Sequence, residues 1–384
     1  MHAMRTVSCL AACLLALVAC SKEKEIAPPA ELVAFRPTLR VERVWSAATR
    51  GGEEVLRLGL RPAIADDRAY VAGHGGDLQA LELATGRTLW RVTTELQFAG
   101  GPAAGEGLVA AGTTDGELAA FDAGNGALRW RVATGGEVLA APAIGGGLVV
   151  VRTVDGRLRG LRAADGAEAW SYEQPVPRLT LRGNGAPVIH GDQVLAGFDN
   201  GKVIALALDS GEMLWNSTVA APHGRTEIER LVDIDSPVRV AGQDVYVVGF
   251  QGRVAMLALD SGQIWWGRDL SSHRGLALGE DRLYVTTADS TVVALSRRDG
   301  TEVWRQEQML RRGLTAPALV GDTIVVADFE GYLHWLDAST GELVGRERAG
   351  RGRIGNAPTV ADGFAVLQTD AGEVQAWRVR ASAG

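Results

Sequence analysis

The chain has 384 residues, 46% of them hydrophobic, with 49 glycines, few aromatic residues and a formal charge of −7. That is enough material for a large core, built as one repeat domain or two ordinary domains. The acidic balance argues against nucleic acid as a partner, because neutralising phosphates needs a basic face. Its plainer meaning is solubility.

Residues 1–20 read as a targeting segment. Arg5 gives a positive start, and the apolar run over 10–18 is too short to span a bilayer comfortably. The run ends Leu17-Val18-Ala19-Cys20, which resembles a bacterial lipobox. That resemblance implies cleavage before Cys20 and lipidation of Cys20; the other reading is an ordinary signal peptide with an incidental cysteine. Ser21 follows in place of Asp, which by the same resemblance implies sorting to the outer membrane. Two or more acyl chains anchor stably where one binds reversibly. All three cysteines, Cys9, Cys13 and Cys20, lie in this segment. None remains in the body for a disulfide, a thiolate nucleophile or a zinc site. Residues 21–38 are charged, then Pro- and Ala-bearing, without periodicity, and read as a flexible tether.

The body, 39–384, repeats one phrase. At 206–215 it is Leu-Ala-Leu-Asp-Ser-Gly-Glu-Met-Leu-Trp: a strand, a tight turn with glycine at a φ > 0 position, and a strand carrying Trp215. Relatives of the phrase end at Trp90, Trp130, Trp170, Trp266 and Trp304; at 336–345 Gly345 stands where the Trp is expected. Each repeat of about forty residues predicts four strands. A small, Pro-bearing strand comes first, then two strands apolar on both faces, then the Trp strand. Helical spacing is absent. A four-stranded meander of this period is a propeller blade, with its first strand at the axis and its Trp wedged between blades. The third strand recurs eight times, at Leu78, Leu118, Leu158, Val203, Val254, Val292, Leu333 and Val374. No fourth strand follows the last, but a spare one with Trp45 precedes the first. The prediction is an all-β, eight-bladed β-propeller of four-stranded antiparallel blades, the last closed by the N-terminal strand, which leaves no open sheet edge between the chain ends.

The interval from each Trp to the next inner Pro is a ruler. It is twelve residues from Trp90 and from Trp130, seventeen from Trp170 and twenty-two from Trp215. Two neighbouring blades therefore carry insertions, about 172–185 and 216–236, side by side on one face, where loops carry function. A third long connection, 46–61, lies on the same face without an assigned role. The first insertion holds Pro177-Arg178-Leu179-Thr180-Leu181-Arg182-Gly183. The second holds Glu227-Ile228-Glu229-Arg230-Leu231-Val232-Asp233-Ile234-Asp235. Leu and Arg beside Asp suit an apolar patch with a charged rim; equally, Arg182 can pair with Asp233 or Asp235 simply to stiffen the loops.

The lipobox, the eight repeats, the two inserted stretches and Glu330-Gly331-Tyr332-Leu333-His334-Trp335 together resemble the BamB family. These are lipoproteins of the outer-membrane β-barrel assembly machinery, and the resemblance covers the whole chain. It implies a non-catalytic scaffold without cofactor, lipid-anchored to the inner leaflet of the outer membrane and facing the periplasm. The implied partners are the periplasmic POTRA domains of BamA and other members of the complex; apart from the resemblance, the ring offers edges to which unfolded outer-membrane proteins could add a strand near the insertion site. The contact residues it implies are Leu179, Leu181, Arg182, Asp233 and Asp235. Gly345 weakens one interblade wedge without touching that face.

The repeat also resembles PQQ-dependent quinoprotein dehydrogenases. Those chains are much longer and usually carry an adjacent Cys pair, which this chain lacks. A propeller binding another periplasmic ligand is a further alternative. The six histidines show no metal spacing and read as turn or surface residues. No nucleophile elbow or phosphate-binding Gly loop occurs; the Gly runs sit between strands.

Overall fold

The structure is a computed structural model that describes residues 27–51, 58–177, 179–181 and 185–380. Cys20, the leader and Arg182 lie outside the described residues.

Eight sheets make a ring, at 63–93, 98–133, 143–173, 188–218, 239–269, 275–306, 318–348 and 359–379. The eighth takes its outermost strand from Val41–Ala48, which runs antiparallel to Glu373–Val379 with Val41 opposite Val379 and Ala48 opposite Glu373. Among the described residues there are no helices. Second strands such as Leu148–Arg152 and Thr323–Ala327 are buried along their whole length, as sheets sandwiched between neighbours must be. The hydrophobic core is divided into eight clusters, one at each junction between adjacent blades. The junction of the eighth blade with the first is filled like the rest, by Trp45, Val71, Leu81, Val366 and Val374.

The tryptophans work as expected. Trp45, Trp90, Trp130, Trp170, Trp215, Trp266 and Trp304 each donate their indole N–H to a carbonyl of the next blade, at 2.7–3.1 Å. Each ring lies against the hairpin glycine of that blade. At Gly211, with φ of +71°, a Cβ would come within 2.7 Å of the Trp170 ring, so glycine serves both the turn and the wedge. At Gly345 the missing ring is compensated. Leu39, from the entering chain, and Trp335, from the third strand of the same blade, occupy the space beside it.

Two arrangements go beyond the sequence reading. Gly59–Leu60 pairs in parallel with Gly100 and Gly101, giving the second blade a fifth strand on its inner side. That is what becomes of the end of the 46–61 connection. Residues 27–39 run irregularly along the sixth and seventh blades. Ala30 N–H donates to Leu310 O at 2.9 Å, Arg312 donates to Ala30 O at 3.0 Å, and Arg346 donates to Val33 O at 2.8 Å while covering the Phe35 ring. The C-terminal part of the segment read as a tether thus has fixed partners.

One histidine is no surface residue. His334 is fully buried. Arg346 Nε, which can only donate, points at its Nδ1 at 3.2 Å, so the imidazole proton sits on Nε2 and is donated to Asp328 at 3.0 Å. Burial lowers its pKa, in keeping with a neutral ring. Arg312 closes this network with contacts to Asp328 and Glu330.

Candidate docking face

Both insertions join an outer strand to the next inner strand, after the third and fourth blades, and so lie on one face. In the first, the chain leaves Glu168–Glu173 and presents Leu179 and Leu181, 41% and 39% exposed. Two half-exposed leucines one residue apart are costly to leave in water and suit an interface.

The second insertion begins with a turn that its own side chains close. The Glu229 carboxylate accepts the N–H groups of Arg225 (2.7 Å) and Thr226 (3.0 Å), and the Thr226 hydroxyl accepts the N–H of Glu229 (3.2 Å). This is the reciprocal pattern of a capping box. It puts Ile228, 67% exposed, on the surface. The Gln251 amide donates to Ile228 O at 3.1 Å and fixes the turn to the fifth blade.

The chain then turns inward. Leu231, Val232, Asp233 and Ile234 are all buried. Ile234 N–H donates to Phe198 O and Phe250 N–H to Asp233 O, so the segment is tied to both the fourth and fifth blades. Gly197 makes room: a Cβ there would sit 2.3 Å from the Ile234 side chain.

Asp233 links the two insertions. Its Oδ2 accepts the Leu181 N–H at 2.5 Å, and its Oδ1 is buried without a partner. The carboxylate thus holds the backbone between Thr180 and Leu181 and does not itself face solvent. Burial pushes its pKa up to about 6, against the pull of the Leu181 N–H. Asp235 lies beside it with Oδ1 also buried and unpartnered. Burial, with Asp233 and Asp199 adding repulsion, pushes its pKa up to about 8. The nearby cation, Arg152, is committed elsewhere. It pairs with Asp199 at 2.6 Å, both buried, and lies over the Phe198 ring.

The sequence argument thus named the two leucines that are exposed and Asp233, which is joined to Leu181, and placed the insertions side by side; Asp235 makes no bond to either leucine. It passed over Ile228 and the Arg152–Asp199 pair. A signal existed for the pair: Arg152 ends an otherwise all-apolar strand. None existed for the depth of Asp233, which depends on Leu181, fifty-two residues away. Among the described residues, no group of three or more His, Asp or Glu is placed to hold a metal ion.

A family model described as outer membrane protein assembly factor BamB matches residues 74–306 and 288–383. The outer membrane protein assembly factor BamB of Pseudomonas aeruginosa is 47% identical, over 97% of this chain and 98% of that protein. The crystal structure of BamB from Moraxella catarrhalis superposes with a TM-score of 0.81 at 29% identity, covering 88% of this chain and all of that one. A quinohemoprotein alcohol dehydrogenase from Comamonas testosteroni superposes at 0.68 with 15% identity, over 88% of this chain and 76% of that one, a likeness of fold alone. On the family match and the near full-length relatives, the chain belongs to the BamB family of outer membrane protein assembly factors.

Proposed function

We propose that this chain is a non-catalytic scaffold of outer-membrane β-barrel assembly. It is anchored by lipid on Cys20 to the inner leaflet of the outer membrane, faces the periplasm, and docks the POTRA region of BamA through its two inserted loops. The names of the relatives support the assembly role. The observation that carries the docking is the pair Leu179 and Leu181, exposed on a rigid ring and held in place by the Asp233 carboxylate. Leu179, Leu181 and Arg182 form the contact. Ile228 extends its apolar part, and Asp233 and Asp235 set the loops rather than touch the partner. Apolar anchors ringed by charge are the anatomy of a hot spot.

The test is co-purification of the full-length chain with BamA from detergent-solubilised envelopes. Arg182→Glu is expected to abolish it, and Leu181→Ala to weaken it by about 1–3 kcal/mol, with thermal unfolding unchanged in both. A folded Arg182→Glu protein that still brings down BamA refutes this docking surface.

A further inference from the structure

The axis of the ring encloses a cavity of about 740 Å³ whose lining is uneven. Each innermost strand sets one residue against the same point of the second strand. That residue is alanine in five blades and valine or threonine in two. In the fifth blade it is Arg239, opposite Tyr246. The residue before the inner-strand proline is glycine, alanine or serine in six blades, and Arg61 in the first. The first and fifth blades face each other across an eight-membered ring. Both arginines line the cavity, together with Arg274 of the sixth blade.

Neither guanidinium has a carboxylate. Arg239 Nε donates to Leu276 O at 3.3 Å, and among the described residues no acidic group lies within ion-pair distance of Arg61 or Arg239. Two acids share the cavity, Asp235 and Asp370. Asp370 pairs with Arg353, and Asp235, with its raised pKa, is largely protonated at neutral pH. Burial and the neighbouring Arg239 draw Arg61 down to about 10, and burial lowers Arg239 as well. Both stay charged and mutually repelling, and among the described residues no counter-charge faces them, an arrangement that costs stability.

We propose that the axial cavity binds a small free oxyanion, of the phosphate or carboxylate class, between Arg61 and Arg239. Planar guanidinium groups meet both classes with paired N–H donors. The small residues at the matching positions of the other blades leave the anion room. The cavity reaches the docking face at Leu181 and Asp235, while Arg61 and Arg239 stand at the inner strands of the first and fifth blades.

The experiment is titration calorimetry of the full chain with inorganic phosphate and, separately, citrate, at constant ionic strength in chloride. Arg239→Ala restores the residue that five blades already carry, and Arg61→Ala a size six blades carry, so both are expected to fold; circular dichroism checks this, and Arg239→Lys, which keeps the charge and loses the fork, stands in if either does not. The parent is expected to bind one of the two anions saturably, the better one identifying the class. Each alanine variant is expected to weaken binding about tenfold or more and, with no anion added, to melt no lower than the parent. Leu179→Ala, at a docking residue outside the cavity lining, is expected to bind the anion as the parent does, which separates this site from docking. Absence of saturable binding of both anions up to about 10 mM, or undiminished affinity in the folded variants, overturns the proposal.

Discussion

An outer-strand indole in this ring joins two blades by shape and by hydrogen bonding together. Trp215 packs on Gly262 and donates to Leu259 O at 2.8 Å. Trp215→Ala is expected to cost about 3–5 kcal/mol, the range for deleting a buried large aromatic. Trp265→Ala, one residue from Trp266 but 57% exposed, is expected to cost within about 0.5 kcal/mol; urea unfolding measures both. Residues of this kind were legible because their role is local and repeated. Asp233 and His334 were not, because a polar side chain reveals nothing of its burial until the distant group that satisfies it is known. Burial makes a further prediction at Asp235. Its carboxyl, facing Asp233, Asp199 and Arg152, has a raised pKa in the folded state. Its contribution to stability is therefore present below the unfolded value near 4 and is lost as pH rises through about 8. Asp233 adds a loss through about 6. Melting temperatures measured from pH 5 to pH 8 are expected to fall more steeply for the parent than for Asp235→Asn. Parallel profiles would contradict the assignment.

Each outermost strand carries a β-bulge beside its Trp position, in all eight blades. In the fourth blade Ala205 faces Trp215 and Leu206 faces Met213, so Leu214 is the extra residue. The bulge explains how the consecutive Met213 and Leu214 can both be half exposed where a regular strand would alternate. It also blunts the free edge, a device that discourages pairing with foreign strands. Strand count and order could be read from the repeat, but the bulge could not. It leaves the hydrophobic pattern unbroken and shows only in the register. The closing strand belongs to the same scale. Removing Val41–Ala48 takes away the partner of Glu373–Val379 and Trp45 from the last junction. The truncated chain is expected to lose cooperative unfolding and to aggregate through the edge it exposes, as light scattering would report. Gly345→Trp tests the opposite error. Leu39 and Trp335 already fill that junction, so adding the ring that seven other blades carry is expected to destabilise by about 1–3 kcal/mol through overpacking.

A ring of near-identical blades has eight equivalent places to hold a partner, and the two insertions single out one of them. They do so unequally. The first insertion rests on the surface: its described residues at 179–181 make a side-chain-to-backbone bond with Asp233 and contribute nothing to the eight core clusters. The second is built into the fold. Ile234 belongs to the cluster between the fourth and fifth blades, with Leu195, Val203, Val245 and Leu257, and Val219 at its start packs there too. The spacing ruler could find both insertions because length is visible in a sequence. It could not rank them, since which one enters the core depends on the gap that Gly197 leaves for Ile234. Shortening each connection to the twelve-residue spacing of the other blades separates the two roles. Shortening the first is expected to keep the melting temperature within a few degrees, a change of about 1 kcal/mol or less for a chain this large, and to abolish co-purification with BamA. Shortening the second removes Ile234 from its cluster and is expected to cost about 2–5 kcal/mol, the range for emptying a buried aliphatic site. If the second deletion proves as mild as the first, the insertion is an appendage on a finished ring, and the precise seating of Leu179 and Leu181 must come from the first loop alone.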